Sequence, residues 1–456
     1  MDEGPQDDVA NTVRLLCSFR EYGIPSTRGN DLNATIGGNL RPEARQLLVN
    51  ATRQRVTLTD GLEYGGAKVD PRNVVAAVTA YFPSIWKVMK SMEASASVNV
   101  KLNRELKFKW RTSLTESTTS SGKQHDGKDG WTSQTVLLFE IGYVLVVRAL
   151  AHFNTAKVIM HHAISETNGD IDATKFASAS KELRIGAGLL HCVACDLLPR
   201  WVSPPSVLPV EMMPKALLAL KTVFLVQAQR LAAAKAIATG GKCSVISKLL
   251  NGAADKYDEA AAILRKLSKS DFEAVDKGVL DELGTLPVIL RGLAYKYVGI
   301  DAHAQGNWAD AAGYLHLASA HFGNLTVGRT LKPLMGGLVN IEISTVYKFA
   351  NDYAEETNSV YFVPPTPPDQ LTMSKTTGVF IAKPTPYSLP APSTVSFAEV
   401  EAAKEGVGET EEEVSAALNE LKLEAPPGVD PDVFASLPPN VQLDVIEQAK
   451  NEEQSK

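Results

Sequence analysis

Three clusters in the sequence hold residue types that do chemistry. His191, Cys192 and Cys195 form HCVAC, a Cys-x-x-Cys spacing beside an imidazole that suits zinc ligation or thiol–disulfide exchange. Neither use has its context. The stretch KELRIGAGLLHCVACDLL is helical in pattern with no strand ahead of it, and the other two cysteines, Cys17 and Cys243, stand alone. Buried helical thiols are the expectation. Gly240-Gly241-Lys242 lacks the spacing of a phosphate loop and follows a helix, not a strand. His161-His162 and the scattered His152, His303, His316 and His321 have no nucleophile or carboxylate at recognisable spacing. A site assembled from distant residues would leave no such trace. The sequence therefore nominates no catalytic residue, no metal ligand and no cofactor.

Binding chemistry is better marked. In DPDVFASLPPNVQLDVIEQ, residues 430–448, Asp430 caps a first helical turn with Pro431 at its first position, exposing Val433 and Phe434. Leu437-Pro438 interrupts the helix, because proline supplies no amide hydrogen and disfavours helix at the residue before it. Pro439 starts a second helix with Val441, Val445 and Ile446 on one stripe and Leu443 off it; Asp432, Asp444 and Glu447 keep the outside polar. So short a segment cannot bury this apolar surface alone, so a partner is implied. Residues 429–448 resemble the UBM type of ubiquitin-binding motif. The resemblance implies that Leu437 and Pro438 contact the apolar patch of ubiquitin, with Phe434, Val441, Val445 and Ile446 around them. Such a site is weak alone and gains through multivalency. The alternative is that this segment folds back onto the body.

The elements that would carry such sites are mostly helical. The 456 residues are 44% hydrophobic and 21% charged, enough for a sizeable core. Charge is uneven: residues 398–456 hold 15 acidic and 4 basic residues, which leaves 42 basic against 37 acidic in residues 1–397. A mildly basic body with an acidic tail excludes a nucleic-acid binder and leaves room only for weak peripheral attraction to anionic membranes. The start MDEGPQDDVA is not of signal-peptide form, and TVLLFEIGYVLVVRAL, broken by Glu140 and Arg148, is too short to span a bilayer. The terminal Glu-Gln-Ser-Lys lacks a prenylation cysteine. An intracellular soluble protein is expected.

Residues 1–69 read as irregular. Asp70-Pro71 marks a helix start, and Val74, Val75, Val78, Tyr81, Phe82 and Ile85 follow at helical spacing. Residues 112–130 form a polar loop. Helices are expected at about 132–162, 171–197, 211–239, 242–268, 287–305, 308–322 and 330–357. In 293–322 the small residues Gly299, Ala302, Ala312 and Ala318 alternate with Tyr297, Trp308, Tyr314 and Leu315 around a Gly306-Asn307 turn, resembling one tetratricopeptide unit. Ordinary helix-hairpin packing explains these residues equally well. Residues 370–397 are proline-dense and read as an extended strap that packs on the body through Val379, Phe380, Ile381 and Tyr387. Thr410 to Glu413 is a capping box that starts a short helix, 410–424, in the tail.

Taken in order, FKWRTSL (108–114), LLFEIGYVLVVRALAHFNTA (137–156), VFLVQAQRLAAAKAI (223–237), SKLLNGAADKYDEA (247–260) and the pair ETNSVYFVPPTPPDQL and GVFIAKPTPYSLP (356–390) resemble the BRO domain family of ESCRT-associated adaptors. The resemblance spans about residues 70–393. It implies a mainly α fold: a boomerang-shaped domain over 1–397 with a tetratricopeptide-like core, a small N-terminal sheet and the closing strap. A flexible acidic linker (398–427), the ubiquitin-binding motif (428–448) and a disordered end (449–456) complete the expected organisation. The family binds the C-terminal amphipathic helix of an ESCRT-III subunit of the charged multivesicular body protein type in an apolar groove, without catalysis. By resemblance the groove falls on Ala232, Val245 and Leu249, supported by Leu225 and Leu231. Val245 and Leu249 share a helix face. A well-known member has an aromatic where this chain has Ala232, a loss worth on the order of 2 kcal/mol. If Val245, Ile246 and Leu249 are simply core, there is no groove; if they line one, Leu249→Asp should abolish binding without unfolding the domain.

The implied function is a cytoplasmic adaptor recruited to endosomal membranes for multivesicular-body sorting, holding an ESCRT-III helix with its body and ubiquitin with its tail. The alternative is a tetratricopeptide-like peptide-binding scaffold unrelated to ESCRT that still binds ubiquitin. An enzyme ranks third. Leu437→Ala is expected to erase the chemical-shift changes that ubiquitin induces in a tail peptide; a tail peptide that shifts nowhere overturns the assignment.

Overall fold

A computed structural model describes residues 6–37, 40–62, 69–95, 102–115, 130–165, 172–371 and 377–397. The chain divides into two units, 1–397 and 398–456, and every described residue belongs to the first. The expected tail helix at 410–424 and the whole ubiquitin-binding cassette therefore lie outside the described residues.

The helices are α1 (Gln6–Cys17), α2 (Leu32–Thr35), α3 (Pro42–Leu62), α4 (Pro71–Ala94), α5 (Leu137–Ser165), α6 (Ala173–Cys192), α7 (Pro214–Ala238), α8 (Cys243–Leu264), α9 (Lys269–Glu273), α10 (Lys277–Ala304), α11 (Trp308–Gly323) and α12 (Lys332–Ser359). Strands β1 (Ser26–Thr27), β2 (Phe108–Arg111) and β3 (Trp131–Gln134) form an antiparallel sheet in the order β1-β2-β3. The long helices pack as a series of neighbours: α3 on α4, α4 on α5, α5 on α6, α6 on α7, α7 on α8, α8 on α10, α10 on α11 and α11 on α12. Helix α1 lies across α7 and α12. The fold is mainly α with a small sheet, as expected.

Local chemistry explains most boundaries. The Asp70 side chain accepts from the Arg72 amide at 2.9 Å, and Pro71 occupies the first turn of α4. Helix α10 ends with Gly306 at φ +76; the Asn307 amide donates to the Ala302 carbonyl and the Gly306 amide to that of His303, a glycine-dependent C-cap. Gly299 lies where α11 comes closest, for a Cβ there would meet Leu315 Cγ at 2.9 Å and the Ala311 carbonyl at 3.1 Å. Tyr314, Leu315, Ala312 and Ala318 are all fully buried around that contact.

Four expectations need correction. Residues 1–69 are not irregular but hold α1, α2 and α3. Helix α3 has an inward stripe of Ala44, Leu48, Ala51, Arg55, Leu58 and Leu62, and the charged Arg55 in its middle masks the period. The apolar helix does not begin at Thr132: Trp131–Gln134 is β3, registered on β2 with Arg111 opposite Trp131 and Phe108 opposite Gln134. Helix α10 begins at Lys277, not at Pro287, with the Asp276 side chain accepting from the Val279 amide at 3.1 Å; Pro287 lies inside it. Finally, α5 is long enough and apolar enough to cross a membrane, as is α7, but their apolar windows are 94% and 78% buried in the body. A helix apolar on all sides is what a central position in a helical layer requires.

Four buried glutamates hold the N-terminal third against this layer. Glu140 of α5 pairs with Arg55 of α3 (Oε1 to Nε 2.9 Å) and accepts from the Tyr81 hydroxyl at 3.0 Å and the Trp110 indole N–H at 2.7 Å. Glu282 accepts from the hydroxyls of Tyr22 at 2.9 Å and Tyr257 at 3.1 Å. Glu342 pairs with Lys296 at 2.6 Å and accepts from Thr12 at 2.8 Å and Asn11 at 3.2 Å. Glu211 accepts from the amides of Ser113 at 2.6 Å and Leu114 at 2.7 Å and from the Thr115 hydroxyl at 2.7 Å. None of the four carboxyls reaches water.

Two predictions follow from this arrangement. Glu140→Ala leaves the Arg55 guanidinium buried without its counter-ion, so urea unfolding should show a loss of about 3–5 kcal/mol. Burial, the dominant effect, holds the Glu211 carboxyl above the usual carboxylate range, against the hydrogen bonds from Leu114, Ser113 and Thr115. The folded state thus favours the protonated form. The associated stabilisation is present at low pH and is lost as pH rises past 4.5, the ordinary glutamate value, and through the raised one. Glu211→Gln should remove that component. The urea midpoint of the native chain should fall relative to that of Glu211→Gln between pH 4.5 and 7.5, and parallel profiles would contradict the assignment.

Candidate functional site

Helices α7 and α8 form an antiparallel hairpin closed by the sequence Thr239-Gly240-Gly241-Lys242. Gly240 has φ +66, its amide donates to the Ile237 carbonyl, and the Gly241 amide donates to the Ala236 carbonyl at 2.7 Å. The glycine pair that resembled a phosphate loop in composition is thus a helix C-cap.

The three predicted groove positions lie on this hairpin, with unequal exposure. Val245, in the first turn of α8, is 49% exposed, Ala232 on α7 is half-buried, and Leu249 is 7% exposed. Ile246, Leu225 and Leu231 belong to the core. Val245 and Leu249 are one turn apart, so a surface strip leads from the exposed valine to a leucine whose edge alone is open. Leu249→Asp would place a carboxylate in that core, so it tests folding as much as binding; Val245 is the cleaner position.

The strap runs beside Leu249. Residues 377–397 run extended across the layer, and their backbone bonds to successive helices. The Val379 amide donates to the Lys248 carbonyl on α8 at 2.9 Å, and the Thr385 amide to the Arg184 carbonyl on α6 at 2.9 Å. The Trp86 indole donates to the Pro390 carbonyl at 3.2 Å, and the Val395 amide donates to the Ser91 hydroxyl at 3.0 Å, both on α4. Two glycines let backbone meet backbone. A Cβ on Gly252 would lie 2.2 Å from the Val379 carbonyl oxygen, and one on Gly188 would lie 1.8 Å from that of Thr385.

The two glutamines of the VFLVQAQRLAAAKAI stretch have different partners. Gln229, fully buried, donates from Nε2 to the Leu249 carbonyl at 3.1 Å and the Val379 carbonyl at 2.6 Å, and its Oε1 accepts from the Ile381 amide at 3.0 Å. One side chain therefore bonds α7, α8 and the strap together. Gln227 instead points into the body, donating to the Tyr257 hydroxyl at 2.9 Å and accepting from Arg230. Only the tertiary contact reveals the difference.

The remaining clusters make no comparable surface. Helix α6 runs directly into a π-helical turn, Val193–Leu197, at HCVAC. Cys192 is buried there, and burial followed by the charge of Asp196 pushes its thiol up to about 12. Cys195, expected to be buried, is exposed, with Sγ 3.5 Å from His191 Nδ1, because the outer face of the widened turn carries both residues. No group of His, Cys, Asp and Glu suited to a metal ion occurs among the described residues. Folding does bring carboxylates to two histidines, His152 Nδ1 to Glu182 at 2.5 Å and His303 Nε2 to Glu356 at 2.9 Å. His303 is also stacked on Tyr353 and edge-on to Trp308, which is a packing role.

Comparison with known proteins agrees with the fold. The family model of the BRO1-like domain matches residues 86–412, and that of the ubiquitin binding region matches residues 423–455. No curated protein matches the chain. Among solved structures, the ALIX BRO1–CHMP4C complex is similar with a TM-score of 0.62 at 17% identity, over 82% of this chain and 96% of that one. ALIX in complex with the SIVmac239 PYKEVTEDL late domain gives 0.62 at 16% identity, over 88% of this chain but 53% of the ALIX chain. A Bro1 domain described for endosomal targeting gives 0.57 at 14% identity, over 81% and 92%. The continuous match over residues 86–412, on a helical layer closed by its strap, means that this chain belongs to the BRO1-like domain family.

Proposed function

We propose that this protein is a non-catalytic ESCRT-associated adaptor, working from the cytoplasm at endosomal membranes. Its body takes the C-terminal helix of an ESCRT-III subunit on the α7–α8 hairpin at Ala232, Val245 and Leu249, and its tail takes ubiquitin through Leu437 and Pro438. The observation that carries this reading is the presence on one chain of a BRO1-like match and a ubiquitin binding region match. The similar ALIX domain is bound to CHMP4C, and the similar Bro1 domain is described for endosomal targeting. An exposed apolar Val245 on a ready-made helix pair gives the helix-in-groove mode a starting surface here.

The division of labour follows from affinity. A short helix against a shallow groove and a short motif against ubiquitin are both weak, and tethering them makes the second contact intramolecular. The acidic residues 398–427 serve as the tether, and residues 428–448 as the ubiquitin-binding motif.

Titrating the full chain against a labelled C-terminal helix of CHMP4C by fluorescence polarisation tests the groove. Saturable binding is expected, weakened about tenfold or more by Val245→Asp, which corresponds to ~1.4 kcal/mol or above. The melting temperature should stay unchanged, since Val245 is half in solvent. Failure of the unsubstituted chain to bind any ESCRT-III helix would leave the peptide-scaffold reading in its place.

A further inference from the structure

The series of long helices ends at α12, which packs on α11 and on α1. Its inward stripe is Met335, Val339, Glu342, Val346 and Ala350. A second stripe lies on the outer side. Leu334 and Ile341 are 37% and 52% exposed, Leu338 between them is half-buried, and Thr345 and Lys348 continue the line. Positions 334, 338, 341, 345 and 348 are alternately four and three apart, the seam spacing of two paired helices. The last element of a stacked helical array ordinarily shows a polar outer face. This one does not.

Two further features of α12 lack a cause inside the domain. Gly337, exposed on the same outer side, costs the helix conformational entropy that alanine would not. A Cβ there would meet no atom within 4 Å, so no neighbour in this chain requires the glycine. The end charges are the other feature. Arg329 and Lys332 stand exposed at the N-terminal end, and Asp352 and Glu355 stand exposed in the last two turns. None of the four is ion-paired among the described residues, whereas the neighbouring Glu356 is held by His303. Cations at the start and anions at the end are the reverse of what the helix macrodipole favours.

We infer that the outer face of α12 is a homodimer interface, on which α12 of a second copy lies antiparallel about a two-fold axis at Ile341. A two-fold interface must be its own complement, and this strip is. Ile341 meets its counterpart, Leu338 faces Ser344 and Thr345 of the second copy, and Leu334 lies on the aliphatic stem of Lys348. Gly337 falls opposite Thr345, where its missing side chain lets the two backbones approach. Antiparallel pairing also brings the cationic end of each helix to the acidic end of the other and opposes the two macrodipoles. A parallel pair would set like ends together. One pair of 28-residue helices is a small contact by the standards of stable dimers, so association should be reversible and concentration-dependent. Pairing places two bodies and two tails in one particle, which strengthens by avidity any weak site they carry.

The test is analytical ultracentrifugation of the full chain from about 1 to about 200 µM, where a reversible dimer raises the average mass with concentration. The native chain should move from the monomer mass toward twice that value. Ile341→Glu, which sets two carboxylates together on the axis, should stay monomeric throughout with an unchanged melting temperature. Gly337→Gln should melt no earlier than the native chain and weaken association about tenfold, ~1.4 kcal/mol. Asp352→Lys should also weaken it, and adding Lys332→Glu should restore it, because the exchanged charges again face each other across the axis. A native chain that remains monomeric overturns the inference. Association that survives both Ile341→Glu and Gly337→Gln places the contact elsewhere and overturns it too, as does a paired charge exchange that restores nothing. If Ile341→Glu melts early, Gly337→Gln and the charge exchange decide the outcome.

Discussion

Carboxylates withdrawn from water inside a helical layer set the terms for the rest of this domain. Glu140, Glu211, Glu282 and Glu342 are all fully buried, and a buried carboxylate is tolerable only when its oxygens are met by donors. In each case some or all of those donors come from the first 115 residues: Thr12 and Asn11 for Glu342, Tyr22 for Glu282, Arg55, Tyr81 and Trp110 for Glu140, and Ser113 to Thr115 for Glu211. Apolar burial alone would let α1, α3 and the sheet slide along the layer. Fixed acceptors at four depths do not, since a shift that strands one carboxylate costs several kcal/mol.

The C-terminal strap is held by different means. The strap returns over α8, α7, α6 and α4 using main-chain bonds, two glycines and the amide of Gln229, with no buried charge. Its proline density helps, because an extended chain with fewer unfolded-state conformations loses less entropy on docking. Beside the strap, Val245 on the α7–α8 hairpin stays half exposed.

How much of this was legible depends on how local the cause is. The Asp70-Pro71 start, the Gly306 turn and the small-residue packing of Gly299, Ala312 and Ala318 are visible in sequence because each is decided within one or two turns of helix. The order of family-like motifs was visible for the same reason. What failed to show is instructive. Helix α3 was hidden because Arg55, the residue at the centre of its inward stripe, is charged and is neutralised only by Glu140, 85 positions away. Strand β3 was absorbed into the helix after it because Trp131–Gln134 has no period of its own and takes its geometry from β2.

For the candidate site the division is sharper. The sequence by itself determined that two helices flank Gly240-Gly241, that an extended proline-dense segment follows the last long helix, and that residues 429–448 hold a two-part apolar cassette broken at Leu437-Pro438, since these follow from spacing and from the backbone chemistry of proline. Only the tertiary structure decided that Val245 stays open while Leu249 four residues later is covered, that Gln229 and Gln227 serve different partners, and that Val379 and Ile381 face outward. The physical reason is that periodicity names the two faces of a helix but cannot say which segment from 130 residues away will lie on one of them. Exposure is settled by what covers a residue, and covering is a property of the folded chain.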